Sequence, residues 1–416
     1  MKKIAIIGTG IAGMGCAHFL HKKYDLTIFE QNKYIGGHTH TVSVAEGNKQ
    51  VHMDTGFMVF NYQTYPELCK LFEAIKAPVK KTTMSFSVQH VPTGLEYCGS
   101  GINGLFAQRK NIFNRKYIHM LMEISRFNKT SLAILDNPAY NKHTLGEYIK
   151  EFNFSDDMLW KYLVPMSSAV WSTPMELMLE FPAVSLIRFF KNHGFLGLNT
   201  QHQWYTLENG SESYKKLLIA PFKEKIQVNN GIKEVWNEKG KVVLKSADGR
   251  THTFDKVIMA GHADQSLKAL RNPSSDQLRT LSKFRYQYNS ATVHTDENIM
   301  PRKRSVWSSW NYRIEEHEGK QVPTTIYWMN SLQGVSEKKN YFVSINAVAE
   351  SIDPSKIIRV IDYHHPLFDL PAMEAQAELP SLNEGGPVYF CGSYFKYGFH
   401  EDAFASAVNL SAALLK

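Results

Sequence analysis

The chain has 416 residues, 43% of them hydrophobic, which is enough to bury a full core and is the length of two to three domains. Its net charge of +8 comes without a basic tail or a nucleic-acid module, which sets nucleic acid aside and leaves a solvated surface or an attraction to anionic lipid headgroups. The four cysteines, Cys16, Cys69, Cys98 and Cys391, stand far apart without metal-ligand spacing, so a disulfide framework and a zinc site are not expected and a reducing compartment is.

At the start, Met1-Lys2-Lys3 followed by Ile4 to Ile7 imitates a signal peptide, but Gly8 cuts the apolar run short. No stretch of about 18 apolar residues follows anywhere, and the expectation is a cytoplasmic protein, soluble or peripheral at the inner face of the membrane. Residues 3–7 read instead as a buried parallel strand. Gly8-Thr9-Gly10-Ile11-Ala12-Gly13 comes next, and a helical pattern runs on through Cys16, Ala17, Phe19 and Leu20. The three glycines differ in purpose. Gly8 turns the chain, Gly10 lets backbone approach a pyrophosphate, and Gly13 lets the helix pack on the strand. The helix start, at Ile11 and Ala12, then offers free N–H groups to phosphates. A second strand, Leu26 to Phe29, ends in Glu30 with Gln31 beside it, and an acid at that distance suits ribose hydroxyls. Gly36-Gly37-His38-Thr39-His40 brings the chain close to the pyrophosphate again, with His38 and His40 as candidate orienting groups.

Residues 105–130 carry six basic residues against one acidic, with Phe113, Tyr117, Met120, Leu121 and Ile124 near helical spacing. Two readings stand there: a helix packed on its own domain, or a basic amphipathic stretch resting on anionic lipid. Further on, Ile226 to Val228 and Ile232 to Val235 read as short strands. Lys241 to Leu244 pairs with Thr251 to Phe254 across a turn, and Val257 to His262 reads as a buried strand returning to the nucleotide sheet. Trp307, Trp310, Asn311, Tyr312, Tyr327 and Trp328 form a candidate substrate wall, or else core aromatics; Tyr327 and Met329 are expected on one side of a strand, Trp328 and Asn330 on the other. His364-His365 before Pro366 reads as a turn, with no accompanying ligand set, and no metal is expected. At the end, Val388 to Cys391 closes on Gly392 ahead of a helix from about Asp402 to Leu415. That unit offers a second helix N-terminus to a long cofactor, so both ends of the chain converge on one ligand, which points to non-covalent FAD rather than NAD.

Long strings carry a family resemblance: Asp54-Thr55-Gly56-Phe57-Met58-Val59-Phe60-Asn61, Met84-Ser85-Phe86-Ser87, Trp171-Ser172-Thr173-Pro174, Phe181-Pro182-Ala183, Phe189 to Gly194, and Gly398-Phe399-His400-Glu401-Asp402-Ala403. With these the chain resembles the flavin-containing amine oxidase and phytoene desaturase superfamily. Within it, the chain is similar to the bacterial FAD-dependent oxidoreductases encoded beside cyclopropane-fatty-acyl synthases. The resemblance implies an α/β fold of the amine oxidase and protoporphyrinogen oxidase type, a Rossmann-like FAD-binding domain (residues 1–68, 204–265 and 381–416) interleaved with an α+β substrate domain (69–203 and 266–380). It implies Ile232 near the adenine, Gly210-Ser211 in place of a family glycine pair, and further cofactor contacts at Thr39, Gly56, Gly392, Phe399, Glu401, Asp402 and Ala403.

In a flavin enzyme the cofactor performs the hard step, so the protein is read for what lines it. Tyr394, Tyr397, His400 and Glu401 are the candidates for a part in turnover, and Asp402 for a helix cap. The superfamily's amine oxidases carry a lysine where this chain has Tyr288 to His294, and an arginine where it has His38. Those departures favour an FAD oxidoreductase moving a hydride between flavin N5 and a carbon of an apolar chain, an unsaturated or modified fatty acyl group. The alternatives are an amine oxidase producing hydrogen peroxide, and a non-redox FAD protein serving as lipid-binding partner of a lipid methyltransferase.

Overall fold

The computed structural model describes residues 1–197 and 200–416. The apolar strand Lys3–Ile7 lies at the centre of a five-stranded sheet. Lys256–Met259 and then Val388–Phe390 lie on one side, Asp25–Phe29 and then Ile226–Gln227 on the other, and every neighbouring pair is parallel. Such a sheet is buried on both faces, which is why its strands are apolar throughout rather than alternating. Ile4, Ile6, Ile28 and Ile258 meet the helices on one face. Ala5, Phe29, Val257 and Met259 meet the antiparallel Ile232–Glu238, Lys241–Ser246 and Thr251–Phe254 ribbon on the other.

The first helix, Ile11–Leu20, packs against the last, His400–Leu415. A Cβ on Gly15 would come within 2.9 Å of the Phe404 ring, so glycine there sets how close the two helices lie. The Cys16 and Cys391 sulfurs sit 3.7 Å apart between them, both buried and both free.

A seven-stranded sheet forms the second body, in the order Ile357–Leu367, Arg285–His294, Phe342–Ile345, Lys320–Trp328, Trp310–His317, Phe86–His90, Leu95–Cys98. A helical layer including Arg115–Thr130, Leu145–Glu151, Val164–Trp171 and Ala183–Asn192 covers it around a core of its own.

Three local expectations change. His364 and His365 lie in the Ile357–Leu367 strand, not in a turn: Pro366 is tolerated because this is an edge strand, whose outer side needs no N–H. The strand through Tyr327 stops at Trp328, and Met329–Gln333 is helical. The Asn330 side chain causes the break, donating to the Ser336 and Lys339 carbonyls and accepting from Tyr341 N, so it closes a loop instead of extending a ladder. Residues 105–130 are not one stripe either. Asn114 caps a helix beginning at Arg115, and Phe113 stays outside it.

Candidate functional site

The glycine-rich turn forms a cradle of backbone. Gly8 has φ of +103°, which only glycine holds without strain, and a Cβ on Gly13 would stand 2.0 Å from the Gly8 carbonyl oxygen. Gly10 differs: a Cβ there would meet nothing within 4 Å. The Ile11–Leu20 helix starts at Gly10 without a side-chain cap, and its first internal bond is Met14 N–H to the Gly10 carbonyl. Open space in front of uncapped helix N–H groups is what a pyrophosphate requires. Gly37 comes against Gly10, and a Cβ on it would lie 3.2 Å from the Gly10 Cα. Lys215 holds this second loop by donating to the Ile35 carbonyl at 2.7 Å.

Glu30 is buried. It accepts from Thr9 N–H and the Thr9 hydroxyl on one oxygen, and from Asn32 N–H and its side-chain amide on the other. Ribose hydroxyls would take the places of the two side-chain donors. Gln31 lies against Gly231, next to half-buried Ile232. Thr39 spends its hydroxyl on Tyr214 at 2.7 Å. Gly56 serves packing: a Cβ would stand 2.3 Å from the His38 carbonyl, which accepts from Phe57 N–H.

Around the cradle stands a group of imidazoles from three parts of the chain. His38 stacks on Tyr363 at 4.7 Å and lies 5.1 Å from His365, while His262 stacks on Tyr286 at 4.3 Å. Burial, with neighbouring histidines adding to it, pushes His38 and His365 down to about 3 and His262 to about 4. The His38 Nε2 is buried and has no partner among the described residues. An orphaned polar atom at the mouth of a phosphate cradle fits a bound dinucleotide, as does the space at Gly10.

A cavity of about 290 Å³ opens beside the start of the last helix, lined by Gln63, Thr64, Tyr65, Pro66, Asn192, His193, Lys396, Tyr397, Phe399, Glu401 and Asp402. Two of its carboxylates are spent on backbone. Glu401 accepts from Glu67 N–H and Leu68 N–H, capping the Pro66–Ala74 helix. Asp402 accepts from Tyr397 N–H and Phe399 N–H, and burial raises it to about 6. His193 donates through Nδ1 to the Phe189 carbonyl at 2.9 Å, and Nε2 is left as an acceptor with no partner among the described residues. Burial holds this imidazole down at about 4, so it is neutral at physiological pH. Its ring stacks 3.7 Å from Phe189, which in turn stacks 5.0 Å from Phe399.

The sequence-derived residues divide between these regions. Tyr397, Phe399, Glu401 and Asp402 line the cavity. His400 turns the other way, 2.6 Å from the Tyr214 hydroxyl and stacked 4.0 Å over Phe57, and burial lowers it to about 3. Gly392 and Tyr394 are buried, and Tyr394 packs on Phe284 in the core behind the nucleotide sheet. Ala403 is buried in the last helix against the first.

The six aromatic-wall residues do not line the larger cavity. Trp307 and Trp328 pack edge to face at 5.4 Å on a separate small core with Phe342, under the Arg304 guanidinium. Trp310 and Tyr327 pack on each other, and Asn311 is locked by Ser87, Ser308 and the Ile326 carbonyl. Tyr312 lines a separate cavity of about 150 Å³ and donates to Ser168. Successive residues along a strand alternate between the two faces of a sheet, so a cluster in sequence becomes several sites in space. Sequence reading singles out neither Tyr65 nor His193; the available signal is the place of His193 inside the Phe189 to Gly194 resemblance string and of Tyr65 four residues after the string that ends at Asn61.

A family model described as flavin containing amine oxidoreductase matches residues 11–334. The 1-hydroxycarotenoid 3,4-desaturase of Flavobacterium sp. (strain P99-3) is 27% identical over 170 residues, covering 36% of this chain and 33% of that protein, so the match spans about a third of the relative's length. Among solved structures, putrescine oxidase bound to putrescine superposes with a TM-score of 0.70 at 12% identity, over 100% of this chain and 99% of that one. A CLA-producing fatty acid isomerase from P. acnes gives 0.69 at 14%, with the same coverage.

Proposed function

Because the chain belongs to the flavin containing amine oxidoreductase family, and is an FAD-dependent oxidoreductase, we propose that its substrate is an apolar carbon chain, an unsaturated or modified fatty acyl group. Bound FAD supplies the hydride acceptor or donor. Gly8, Gly10, Gly13, Gly37 and His38 would hold it, and no side chain of the cradle needs to take part in bond-making.

The observation that carries the substrate reading is the electrostatic character of the cavity. Glu401 and Asp402 both face it, yet Glu401 gives one oxygen each to Glu67 N–H and Leu68 N–H, while Asp402 gives one oxygen to two backbone N–H groups and has the Lys396 ammonium 4.0 Å from the other; burial raises both. Both carboxylates already have partners, one of them the Lys396 ammonium, which disfavours a second ammonium group such as a polyamine would bring. Phe399, Tyr397 and Tyr65 give the space an aromatic side on which an apolar chain could lie. Removing hydrogen from two adjacent carbons also requires a proton acceptor, and the neutral His193, whose Nε2 has no partner among the described residues, lines the same cavity. The strand Arg285–His294 carries no lysine, unlike the amine oxidases that the chain resembles. The names of the carotenoid desaturase and the fatty acid isomerase describe chemistry on carbon chains, which agrees with this reading. Amine oxidation remains the second reading, on the strength of the fold shared with putrescine oxidase.

Anaerobic mixing of the FAD-loaded protein with fatty acyl lipids and, separately, with monoamines and polyamines tests the choice. Bleaching of the flavin band by an acyl lipid is the expected result. Bleaching by amines alone, with peroxide released in air, would transfer the protein to the second reading.

A further inference from the structure

We propose that the surface formed by Ile102, Ile112, Phe113 and Met122 with the basic side chains around them is a docking face for an anionic membrane. These four apolar residues are 74%, 48%, 87% and 65% exposed, the largest values among the apolar side chains of the helical layer. Phe113 is the most telling of them. It stands immediately before Asn114, whose side chain caps the Arg115–Thr130 helix by accepting from Lys116 N–H and Tyr117 N–H. An apolar residue at that position ordinarily folds back on the fourth helical residue, here Ile118, as a staple. Phe113 does not: its ring is left in solvent, where it supports nothing in the fold.

The charges around it have one sign. Arg109, Lys110, Arg115 and Lys116 are all exposed. Arg109 folds back to Asn103 and so ties the Ile102 segment to the Phe113 segment. Arg302 and Lys303 join the same face through the Leu95–Cys98 strand: Glu96 accepts from both of their backbone N–H groups, and its own N–H donates to Gln108. The acids are withdrawn. Glu123 is the only acidic residue between positions 97 and 135, and it is buried, holding the Ser155 N–H and hydroxyl, with Arg126 and His119 beside it. Glu96 is buried too. Arg126 takes no part in the face, since it donates to the Phe152 and Asn153 carbonyls.

Apolar tips ringed by cations, with the exposed Glu297 beside Arg302 and Lys303 paired to Arg304, match the headgroup and acyl boundary of an anionic bilayer. A second copy of the chain would bring the same positive charge, and nucleic acid has no use for Ile102 and Phe113. The inner side of this helix, Tyr117, Met120 and Phe127, packs in one core with Trp171 and Phe189, against which Phe399 of the cavity packs. The docking face therefore covers the layer that walls the cavity, and it rests on the acyl-chain reading only for what it would deliver there.

The test is flotation of the full-length, FAD-loaded protein with vesicles of dimyristoyl phosphatidylglycerol and dimyristoyl phosphatidylcholine, against vesicles of the latter alone. Both lipids are saturated, so binding is measured without any double bond to act on. Binding is expected only with the anionic lipid, and it weakens as salt rises. Phe113→Glu is expected to lower partitioning at least about ten-fold, and Arg109→Glu and Lys110→Glu about five-fold each, with Lys268→Glu unchanged and the flavin spectrum and melting retained in all. No flotation with anionic vesicles, or flotation indifferent to Phe113→Glu, would overturn the proposal. So would a wild-type dimer that Phe113→Glu splits, which assigns the face to a second copy. Turnover of a detergent-dispersed acyl substrate should survive Phe113→Glu; its absence in the wild type counts against the substrate reading alone.

Discussion

The cofactor cradle and the cavity beside it are built by opposite means. In the cradle the work falls to backbone and to missing side chains: glycine at 8, 10, 13 and 37, and helix N–H groups left uncapped. In the cavity it falls to side chains from distant parts of the chain, with Tyr65, His193, Tyr397 and Phe399 meeting where three segments converge. A cradle of backbone binds whatever carries the right phosphates and is indifferent to the reaction. A wall of side chains decides the substrate. The chemistry that distinguishes this protein from others of its fold therefore belongs to the second region.

Substitution at glycine separates the two most sharply. Gly10→Ala should lower FAD affinity by at least about ten-fold while the melting of the FAD-free protein barely moves, since the added Cβ meets no protein atom within 4 Å. Gly13→Ala should cost both, because its Cβ would collide with the Gly8 carbonyl. Titration with FAD and thermal melting of both variants check this. Equal loss of stability in the two would mean that the space at Gly10 is not ligand space. In the cavity the expected pattern reverses. His193→Phe should keep FAD and melting but lower turnover by about 100-fold with little change in KM, and Tyr65→Phe by about ten-fold.

Acid should affect the cradle first. His38, His365, His400 and His262 are held at about 3 to 4 by burial, below their ordinary 6.5. Between those values the unfolded chain binds protons that the folded one does not, so stability falls as pH drops from about 6.5 towards 4. Asp402, raised to about 6 from its ordinary 3.8, acts in the opposite sense between those two values, because there the folded state holds the proton. His40, His193 and His294 are lowered in the same way. Together the imidazoles outnumber the carboxyls that burial raises, Asp54, Glu401 and Asp402, so the melting temperature of the FAD-free protein should fall by about 10 °C between pH 7 and pH 5. His38→Asn should flatten that slope. The smallest effect belongs to the aromatic cluster: Trp307→Phe should leave KM within about two-fold, as its ring packs on a core away from both regions.

Most of the cradle is legible in the amino-acid order. Gly8 to Gly13 and the strands on either side act within one βαβ unit, so spacing alone places them, and the Val257 and Val388 strands are readable from their apolar runs. His364 and His365 are not, since a proline after two polar residues signals a turn unless an edge strand is available to hold it. Nor is the fate of Glu401: as an acid at a helix start it reads as a free carboxylate, but its donors, Glu67 N–H and Leu68 N–H, are more than 300 positions away.

The nucleotide sheet, the phosphate turn and the cofactor class follow from the order of residues, because the signals for each are short apolar runs and glycine spacings within a few turns of chain. Which polar atoms stay unpartnered at the cavity, and which side of the helical layer leaves Phe113 in solvent, emerge only once the whole chain has packed. Those outcomes depend on which distant backbone groups claim a side chain first, as Glu67 and Leu68 claim Glu401, and no local pattern specifies that pairing.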